Sequence, residues 1–451
     1  MKRRKFIHTT SVGAGIALSS SSLVAKANSS TLPKKNIKAK NEKLNIACIG
    51  CSGKGRIDIK AIAHENIVAM CDIDPIYAKK MFNQHPDVPK YNNFLKMLDE
   101  MDKQIDAVTI STPDHLHYAM GMAAIERGKH VFIQKPLAKS IREVRELTEA
   151  ARRMGVVTIM GNQGHASEGI RLSKEWYEAD LLGDVKEVHV WTQKLTNGIF
   201  RSTLRNVRPT GEDTPSHINW QQWIGPALQQ PFSREYHPLR WRGWWDYGNG
   251  SLGDIGCHTM DGPFWSMDLG APIAVTAETT GYSPITYPDG SKVTYEFAAR
   301  GNRPPVKMIW YDGSIKPPRP SDMEPDRKFN YRSGYYMIGS KATLYNDDEQ
   351  CRRPRIIPET KMRGLRDKLP PKSIPRVAKS NHYQEWIDAC KGGPMPGSNF
   401  DHAGPLSEMV LLGNIAIIAD GKRIEWDSQS MKVTNMPELN IHVNKVGKFP
   451  V

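Results

Sequence analysis

The stretch LNIACIGCSGKGRIDI, residues 44–59, decides the fold class. Its first half is apolar and typical of a short buried strand, and Gly50, Gly53 and Gly55 follow that strand directly. A strand, a glycine turn and a helix in this order open a dinucleotide-binding unit. Gly50 takes the first place of the GxGxxG pattern and Gly55 the sixth, but Ser52 stands at the third. The turn alone is therefore a degenerate motif, and its context has to support it.

The next strand supplies that context. NIVAMCDID reads as a second buried strand, and Asp72 ends it 22 residues after Gly50. An acid at this place is positioned to contact a ribose hydroxyl, which favours NAD over NADP. Lys54 and Arg56 lie close in sequence and keep NADP possible.

Cys48 and Cys51 offer a competing interpretation of the same stretch, as a redox or metal-binding CxxC pair. A redox pair needs its first cysteine exposed at the start of a helix, whereas Cys48 falls inside the strand. The chain has no second CxxC that would complete a zinc site, and the spacing of its six cysteines shows no disulfide framework. We therefore prefer the dinucleotide turn and expect no metal.

Hydrophobic periodicity divides the mature chain into two domains. Residues 44–163 alternate strands with helical segments, which predicts an α/β domain with a doubly wound parallel sheet. Residues 164–451 contain strands that alternate like half-exposed ones, joined by longer loops rich in Pro and Trp. This second part is predicted to be an α+β domain with a mostly antiparallel sheet.

Composition narrows the class of partner. The 451 residues are 39% hydrophobic and 24% charged, with a net charge of +14. No apolar run reaches the roughly 18 residues of a membrane span. No arginine-rich or aromatic-interleaved motif accompanies the positive charge, so we expect neither a membrane span nor a nucleic-acid partner.

The N-terminus predicts export. Residues 1–27 combine a basic start, a weakly apolar stretch and Ala25-Lys26-Ala27, a small-x-small cleavage site. The run Arg3-Arg4-Lys5-Phe6-Ile7 resembles a twin-arginine (Tat) signal, although an ordinary secretory signal with two chance arginines remains open. Residues 28–43 then form a basic linker, and we expect a periplasmic mature protein.

Three candidate acid–base residues stand in two later motifs. Lys135 in FIQKPLA ends a predicted parallel strand, where it would face the ligand crevice. Asp254 and His258 are four residues apart in RWRGWWDYGNGSLGDIGCHTMDGPFW, and on an α-helix they would share one face. Asp261 follows one turn later, and the tryptophans of this stretch could stack on sugar rings. The non-catalytic alternatives are that Lys135 is a solvent-exposed lysine at a strand end and that Asp254 and His258 form a structural pair in the core.

Together these motifs resemble the Gfo/Idh/MocA family, named for glucose–fructose oxidoreductase and inositol dehydrogenase. The glycine turn, the acid at Asp72, STPDHLHYAMGMAAIERGKHVFIQKPLA, GNQGH and GDIGCHTMD occur in the family's order, and the similarity extends to GPLSEMVLLGNIAI. The resemblance implies an N-terminal Rossmann domain and a C-terminal domain whose large open sheet often mediates homo-dimers or tetramers. Ser52 and Gln134 depart from the pattern, since glycine and glutamate are usual at these two places.

The resemblance also implies roles for individual residues. Lys135, Asp254 and His258 would act at the hydroxyl being oxidised. The expected cofactor-binding set is Gly50, Ser52, Gly53, Lys54, Gly55, Asp72, Thr112, Pro113, His117, Gln134, Lys135 and Asn162. The expected substrate-binding set is Gln163, His165, Arg242 and Trp245.

The predicted function is NAD(P)-dependent oxidation of a carbohydrate or glycoside hydroxyl. Export ahead of a nicotinamide fold suggests a cofactor that is retained and regenerated in the site. A redox-neutral NAD-dependent glycoside hydrolase, similar to α-N-acetylgalactosaminidases, would also satisfy this condition. A cofactor-free lyase or isomerase and a carbohydrate-binding protein are the remaining alternatives.

Overall fold

A computed structural model describes residues 39, 41–194, 204 and 206–449. The predicted signal segment 1–27 and most of the basic linker 28–43 lie outside the described residues. Within the described part of the chain, no helix combines the length and apolar character needed to cross a membrane.

The N-terminal domain is built on a six-stranded parallel sheet. Its strands are β1 (Asn45–Ile49), β2 (Asn66–Cys71), β3 (Lys90–Tyr91), β4 (Ala107–Ile110), β5 (His130–Ile133) and β6 (Thr158–Met160). Its helices are α1 (Gly53–Ala61), α2 (Pro75–Gln84), α3 (Phe94–Met101), α4 (His117–Glu126) and α5 (Ile141–Met154). The spatial order β3-β2-β1-β4-β5-β6 is that of a doubly wound dinucleotide-binding sheet. The prediction of a Rossmann-type parallel sheet is confirmed.

Local sequence signals explain the boundaries of α5. The Ser140 hydroxyl caps its N-terminus by accepting from the Glu143 N–H, and the Glu143 carboxylate completes a capping box by accepting from the Ser140 N–H. Gly155 ends the helix in the left-handed conformation, with φ of 64°. This start matters for function because it holds the loop after β5, which carries Lys135.

The C-terminal domain carries a nine-stranded sheet. Its strands are β7 (Val185–Thr192), β8 (Ala274–Thr280), β9 (Gly290–Phe297), β10 (Val306–Gly313), β11 (Ser333–Gly339), β12 (Thr343–Asn346), β13 (Pro354–Ile357), β14 (Ile424–Asp427) and β15 (Lys432–Val433). The order is β13-β12-β11-β7-β10-β9-β8-β14-β15, and β7 with β10 is the parallel pair among otherwise antiparallel neighbours. The predicted mostly antiparallel sheet is therefore confirmed.

In the described part of the chain, eight further helices surround this sheet and the domain boundary. They are α6 (Glu168–Glu178), α7 (Trp220–Ile224), α8 (Cys257–Thr259), α9 (Asp261–Ser266), α10 (Glu359–Gly364), α11 (His382–Cys390), α12 (Phe400–Ile418) and α13 (Asn440–Val443). Two of them return to the N-terminal domain. Trp386 of α11 is buried in the same apolar cluster as Met70 and Phe132 of the parallel sheet. The backbone N–H of Met160 donates to Ser398 O at 3.0 Å just before α12, so late segments complete the first domain's core.

The Asp254–His258 segment is not a regular α-helix. Leu252–Gly256 forms a π-helical turn, and α8 continues it. The α-helical spacing expected for Asp254 and His258 is therefore wrong. A π turn places about one more residue in each turn than an α-helix, so residues four apart no longer stand directly above one another.

The cysteines are buried and unpaired, which disfavours the CxxC interpretation. All six are free thiols, and burial raises the pKa of Cys48 to about 12. Burial also raises the pKa of Cys51 well above its usual value. Thiols in this state are poor nucleophiles.

Candidate active site

A cleft of about 520 Å³ opens at the carboxyl ends of β1, β4 and β5 and is closed on the other side by the C-terminal domain. Doubly wound sheets bind their ligands at this edge, where the strand order reverses. The cleft is lined by Gly50, Ser52, Gly53, Lys54, Asp72, Thr112, Pro113, Gln134, Lys135, Gln163, Arg242, Asp254 and His258. Most of the predicted cofactor, substrate and catalytic residues thus meet in one place.

Two sterically tight glycines and one with positive φ shape the turn. A Cβ on Gly50, whose φ is +81°, would lie 2.5 Å from the carbonyl oxygen of Ser111, the residue that follows β4. A Cβ on Gly55 would lie 1.9 Å from Gly50 O, so the helix start packs directly on the strand end. Gly53 has φ of +49° and begins α1. Such a turn leaves the backbone open to a pyrophosphate.

Ser52 does not disturb this turn. Its backbone is extended, with φ of −109° and ψ of 178°, a conformation that any residue adopts. Its hydroxyl donates to Asp72 Oδ2 at 3.2 Å, and the Cys51 N–H donates to the same oxygen at 2.8 Å. The carboxylate of Asp72 is thereby held at the cleft wall, and burial raises its pKa.

Gln134 is matched to a buried carboxylate that sequence reasoning missed. Its Nε2 donates to Asp58 Oδ2 at 2.9 Å, and the Ser111 hydroxyl donates to the same oxygen at 2.7 Å. Tyr383 donates to Asp58 Oδ1 at 2.7 Å, and Lys54 pairs with that oxygen. Only the position of Asp58, four residues after Lys54 on α1, signalled this pairing in the sequence. Gln134 Oε1 remains buried without a hydrogen-bond partner among the described residues.

Lys135 and Asp254 form an ion pair at the centre of the cleft, with 2.5 Å between Nζ and Oδ1. Arg242 Nε lies 3.3 Å from the same oxygen. Burial would raise the pKa of Asp254, but the charges of Lys135 and Arg242 outweigh it and hold that pKa well below its usual range. Asp254 is thus an anion that keeps an ammonium group in the cleft.

His258 is a buried neutral imidazole in the same cleft. Burial, with the charge of Lys135 adding to it, lowers the pKa of His258 to about 3. Its Nδ1 has no hydrogen-bond partner among the described residues. Asp254 Oδ1 faces Lys135 and Arg242 instead of this ring.

Three predicted site residues are buried beside the cleft instead of lining it. Both ring nitrogens of His117 contact backbone carbonyls, Pro136 O at 2.7 Å and Thr112 O at 2.9 Å. Asn162 Nδ2 donates to Asp261 Oδ2 at 2.8 Å, and His165 Nδ1 lies 3.0 Å from the same oxygen. The polar side-chain atoms of His117 and Asn162 all contact protein neighbours, which gives these two residues supporting roles, whereas His165 Nε2 is buried without a hydrogen-bond partner among the described residues.

Asp261, His165 and His402 are close enough to hold a metal ion, which was not expected. His402 Nε2 lies 2.7 Å from Asp261 Oδ1, a hydrogen-bond distance. Burial would raise the pKa of Asp261, but the two imidazoles hold it well below its usual range. A carboxylate that accepts N–H groups from two imidazoles accounts for the geometry.

The tryptophans of residues 240–265 divide between core and surface roles. Trp244 and Tyr247 are fully buried in an aromatic cluster, while Trp241 lines the cleft beneath the guanidinium of Arg242. Trp245 lines a second cavity and not this cleft. The expected contact of Trp245 with a substrate beside Lys135 therefore has no support in the geometry, because its ring stacks on Tyr287.

A segment of the C-terminal domain covers one end of the cleft, and no sequence signal pointed to it. We call residues 206–247 the bridging segment. His237 Nε2 lies 2.9 Å from Asp74 Oδ2, two residues beyond Asp72, and the Asn219 N–H donates to Ile73 O at 3.0 Å. Between these anchors, Trp223 and His237 line the cleft. The bridging segment therefore connects the two domains at the end of the cleft that holds Asp72.

The two halves of the chain match two models of one family. A model described as "Oxidoreductase family, NAD-binding Rossmann fold" matches residues 44–162, and one described as "Oxidoreductase family, C-terminal alpha/beta domain" matches residues 178–301. The chain belongs to the Gfo/Idh/MocA oxidoreductase family. The N-terminal domain of this Gfo/Idh/MocA protein is an NAD-binding domain, and the predicted cofactor is confirmed.

Curated relatives of this Gfo/Idh/MocA protein include sugar and polyol dehydrogenases. The chain is 26% identical over 160 residues to levoglucosan dehydrogenase of Pseudarthrobacter phenanthrenivorans, covering 36% of this chain and 32% of that one. It is 27% identical over 116 residues to an inositol 2-dehydrogenase/D-chiro-inositol 3-dehydrogenase of Lactiplantibacillus plantarum, covering 25% and 33%. The matched part spans 26% to 64% of the length of the first three curated relatives.

Solved structures share the fold over most of the chain. The WlbA dehydrogenase from Bordetella pertussis, in complex with NADH and UDP-GlcNAcA, has a TM-score of 0.60 at 18% identity and covers 86% of this chain and 99% of its own. An inositol dehydrogenase homolog from Azotobacter vinelandii, complexed with NADH and myo-inositol, has a TM-score of 0.57 at 16% identity, covering 86% and 98%.

Proposed function

We propose that this Gfo/Idh/MocA protein oxidises a hydroxyl of a carbohydrate or glycoside with NAD that stays in the cleft between turnovers. The observation that carries the proposal is the meeting of the glycine turn and Asp72 with Lys135, Asp254 and His258 in one cleft. The names of relatives that act on levoglucosan and inositol support a polyhydroxylated ring as substrate.

The residues present fit a dinucleotide. The turn from Gly50 to Gly55 leaves room that a Cβ would fill, and Asp72 stands at the wall for a ribose hydroxyl. Gln134 Oε1 is an unpartnered acceptor among cleft residues. When bound there, NAD supplies a hydride acceptor.

The protein's own groups then handle the proton of the substrate hydroxyl. The Lys135 ammonium, held by Asp254, donates a hydrogen bond to the hydroxyl oxygen and stabilises the negative charge that develops on it. His258 lines the same cleft with its Nδ1 unpaired among the described residues, and it accepts the proton, while the nearby carboxylate of Asp254 stabilises the imidazolium that forms. Arg242 keeps the Asp254 anion in place.

Retention of the cofactor is supported by the bridging segment. Its contacts to Ile73 and Asp74 would have to break before a dinucleotide could leave past Asp72. Retention also agrees with the proposed export, since free nicotinamide is not expected outside the cytoplasm. The same arrangement supports redox-neutral glycoside cleavage as a second candidate, because the hydride never leaves the site.

The first test is a mass spectrum of the small molecules released when the purified mature protein is denatured. Stoichiometric NAD(H) is expected, and absence of NAD together with no binding of added NAD or NADP would favour a cofactor-free lyase. The loaded protein is then mixed with sugars and glycosides while reduced nicotinamide and products are followed. Ketone formation indicates oxidation, whereas aglycone release without net reduction indicates redox-neutral cleavage.

Substitution of the central lysine tests the proposed chemistry. Lys135→Met is expected to lower kcat about 10²- to 10³-fold while bound NAD is retained, since stabilisation of the negative charge on the substrate oxygen is lost but not the turn. Lys60→Met, at an exposed position of α1, is the matched control and should stay within about twofold of the parent. Full activity in Lys135→Met would contradict the proposed role.

A further inference from the structure

A second cavity of about 350 Å³ lies beside the catalytic cleft, and the function proposed above does not use it. Its walls combine the start of α5 at Ser140 and Ile141 with residues of α12 and with the aromatic pair Trp245 and Tyr287. The two rings are 3.8 Å apart between centroids. The volume lies within the range of small-molecule sites, about 300–1,000 Å³.

Two lysines and one carboxylate line this cavity. Lys139 lies in its wall beside Asp246, and Lys445 stands at its exposed rim. Lys139 Nζ has one hydrogen bond within the described part of the chain, a long one of 3.4 Å to Asn249 Oδ1. An ammonium group carries three donors, so most of its hydrogen-bonding capacity is open to a ligand.

The acids around Lys139 are already engaged. Asp246 pairs with Arg208, and Asp114 accepts two hydrogen bonds from Asn249. The Glu143 carboxylate accepts hydrogen bonds from three backbone N–H groups, those of Lys139, Ser140 and Gly447. Among the described residues, no carboxylate lies within 4.0 Å of the Lys139 ammonium. Burial lowers its pKa to about 8, so an anionic ligand would stabilise its charged form.

Asn414 gives an independent sign of a ligand. It is 5% exposed and lines the cavity, and its Oδ1 has no partner among the described residues. Its Nδ2 donates to Asn249 O at 3.1 Å, which fixes the amide orientation. A buried carbonyl oxygen without a hydrogen-bond donor is unfavourable, so a donor such as a hydroxyl is expected there.

We propose that this cavity is a second binding site that takes a pyranose ring bearing a carboxylate, with the anion at Lys139 and Lys445 and a ring hydroxyl at Asn414. The rings of Trp245 and Tyr287, with the aliphatic wall of α12, provide the apolar surface that a sugar ring packs against. Asn249, which donates to Asp114 of the catalytic cleft, forms the partition between the two sites. The site stands independently of the oxidation proposed above.

Binding of D-glucuronate to the NAD-loaded protein, measured by calorimetry, tests the proposal, with D-glucose as the uncharged probe. Glucuronate is expected to bind at least tenfold more tightly than glucose. Lys139→Gln removes the charge and keeps a polar head, and Lys445→Glu reverses a charge at an exposed rim position. Each variant is expected to raise the Kd for glucuronate at least tenfold.

A substitution in the catalytic cleft distinguishes glucuronate binding there from binding in the second cavity. Arg242→Gln, which changes the catalytic cleft and not the second cavity, is expected to leave glucuronate affinity within about twofold. Three results would overturn the proposal: no glucuronate binding, equal affinity for glucose, or binding that Arg242→Gln abolishes while Lys139→Gln and Lys445→Glu leave it unchanged. Near-parent melting temperatures of the two cavity variants would show that they fold.

Discussion

At the scale of single residues, the carboxylate of Asp58 explains why a glutamine stands at position 134 in place of the usual glutamate. A glutamate before Lys135 would face the carboxylate of Asp58 at the 2.9 Å distance now spanned by an amide hydrogen bond. Two carboxylates at that distance cannot both ionise without a large cost. The amide of Gln134 therefore fits the buried charge of Asp58, which Lys54 and Tyr383 also contact.

We predict that Gln134→Glu lowers the free energy of unfolding by about 1–3 kcal/mol at pH 8. The new carboxyl has its pKa raised in the folded protein, which then binds more protons than the unfolded chain. Stability is therefore regained as the pH falls through that raised pKa. Thermal unfolding at pH 8 and pH 5 measures this. Gln134→Met removes the hydrogen bond without adding a charge. Its loss of unfolding free energy relative to the parent should therefore be the same at both pH values.

His258 gives a second prediction at this scale. Because burial lowers its pKa to about 3, the imidazole is neutral throughout pH 5–8. The profile of kcat/KM against pH should therefore lack an acid limb near pH 6.5 that belongs to His258. His258→Gln is expected to lower kcat and leave the shape of the profile unchanged. An acid limb in the parent that disappears in this variant would refute the assignment.

At the scale of elements, the turn between β1 and α1 separates tolerated changes from forbidden ones. Ser52 is extended, so Ser52→Gly loses one hydrogen bond to Asp72 and should change NAD affinity by no more than about threefold. Gly55→Ala puts a Cβ 1.9 Å from Gly50 O and must push helix and strand apart. We expect at least about tenfold weaker NAD binding and a lower melting temperature, measured by titration and calorimetry. Equal affinities for the two variants would show that the turn does not hold the cofactor.

The same element shows what periodicity and spacing can predict. The strand, the glycines and Asp72 are neighbours along the chain or follow one repeating unit, so their meeting was predictable from the sequence. The contact of Asp58 with Tyr383 spans 325 residues, and no local pattern encodes it. The π turn at Leu252–Gly256 was missed for a related reason, because sequence spacing alone assumes an α-helical period.

At the scale of the whole molecule, the cleft is a product of both domains. Lys135 comes from the loop after β5 of the N-terminal domain, whereas Asp254 and His258 come from the C-terminal domain. Their meeting in one cleft depends on how the two domains dock. The bridging segment adds a second connection at the opposite end of the cleft, through Asp74. Neither the docking nor the bridge could be read from the sequence, because tryptophans and prolines in long loops carry no periodic signal.

This bridge leads to the last prediction, which concerns the rate at which NAD leaves. His237→Ala removes the side chain that meets Asp74 at 2.9 Å, and Asp74 keeps its separate role in capping α2 through Tyr77 N. A hydrogen bond to a charged group contributes about 1.5–3 kcal/mol, so release of NAD should accelerate roughly 10- to 100-fold if opening of the bridge limits it. Chase of bound labelled NAD with excess unlabelled NAD measures the rate. Lys292→Ala, which removes an exposed ion pair with Glu278 on the large sheet, is the control and should exchange at the parent's rate. Rapid exchange in the parent itself would contradict retention, and unchanged slow exchange in His237→Ala would assign retention to contacts other than the bridge.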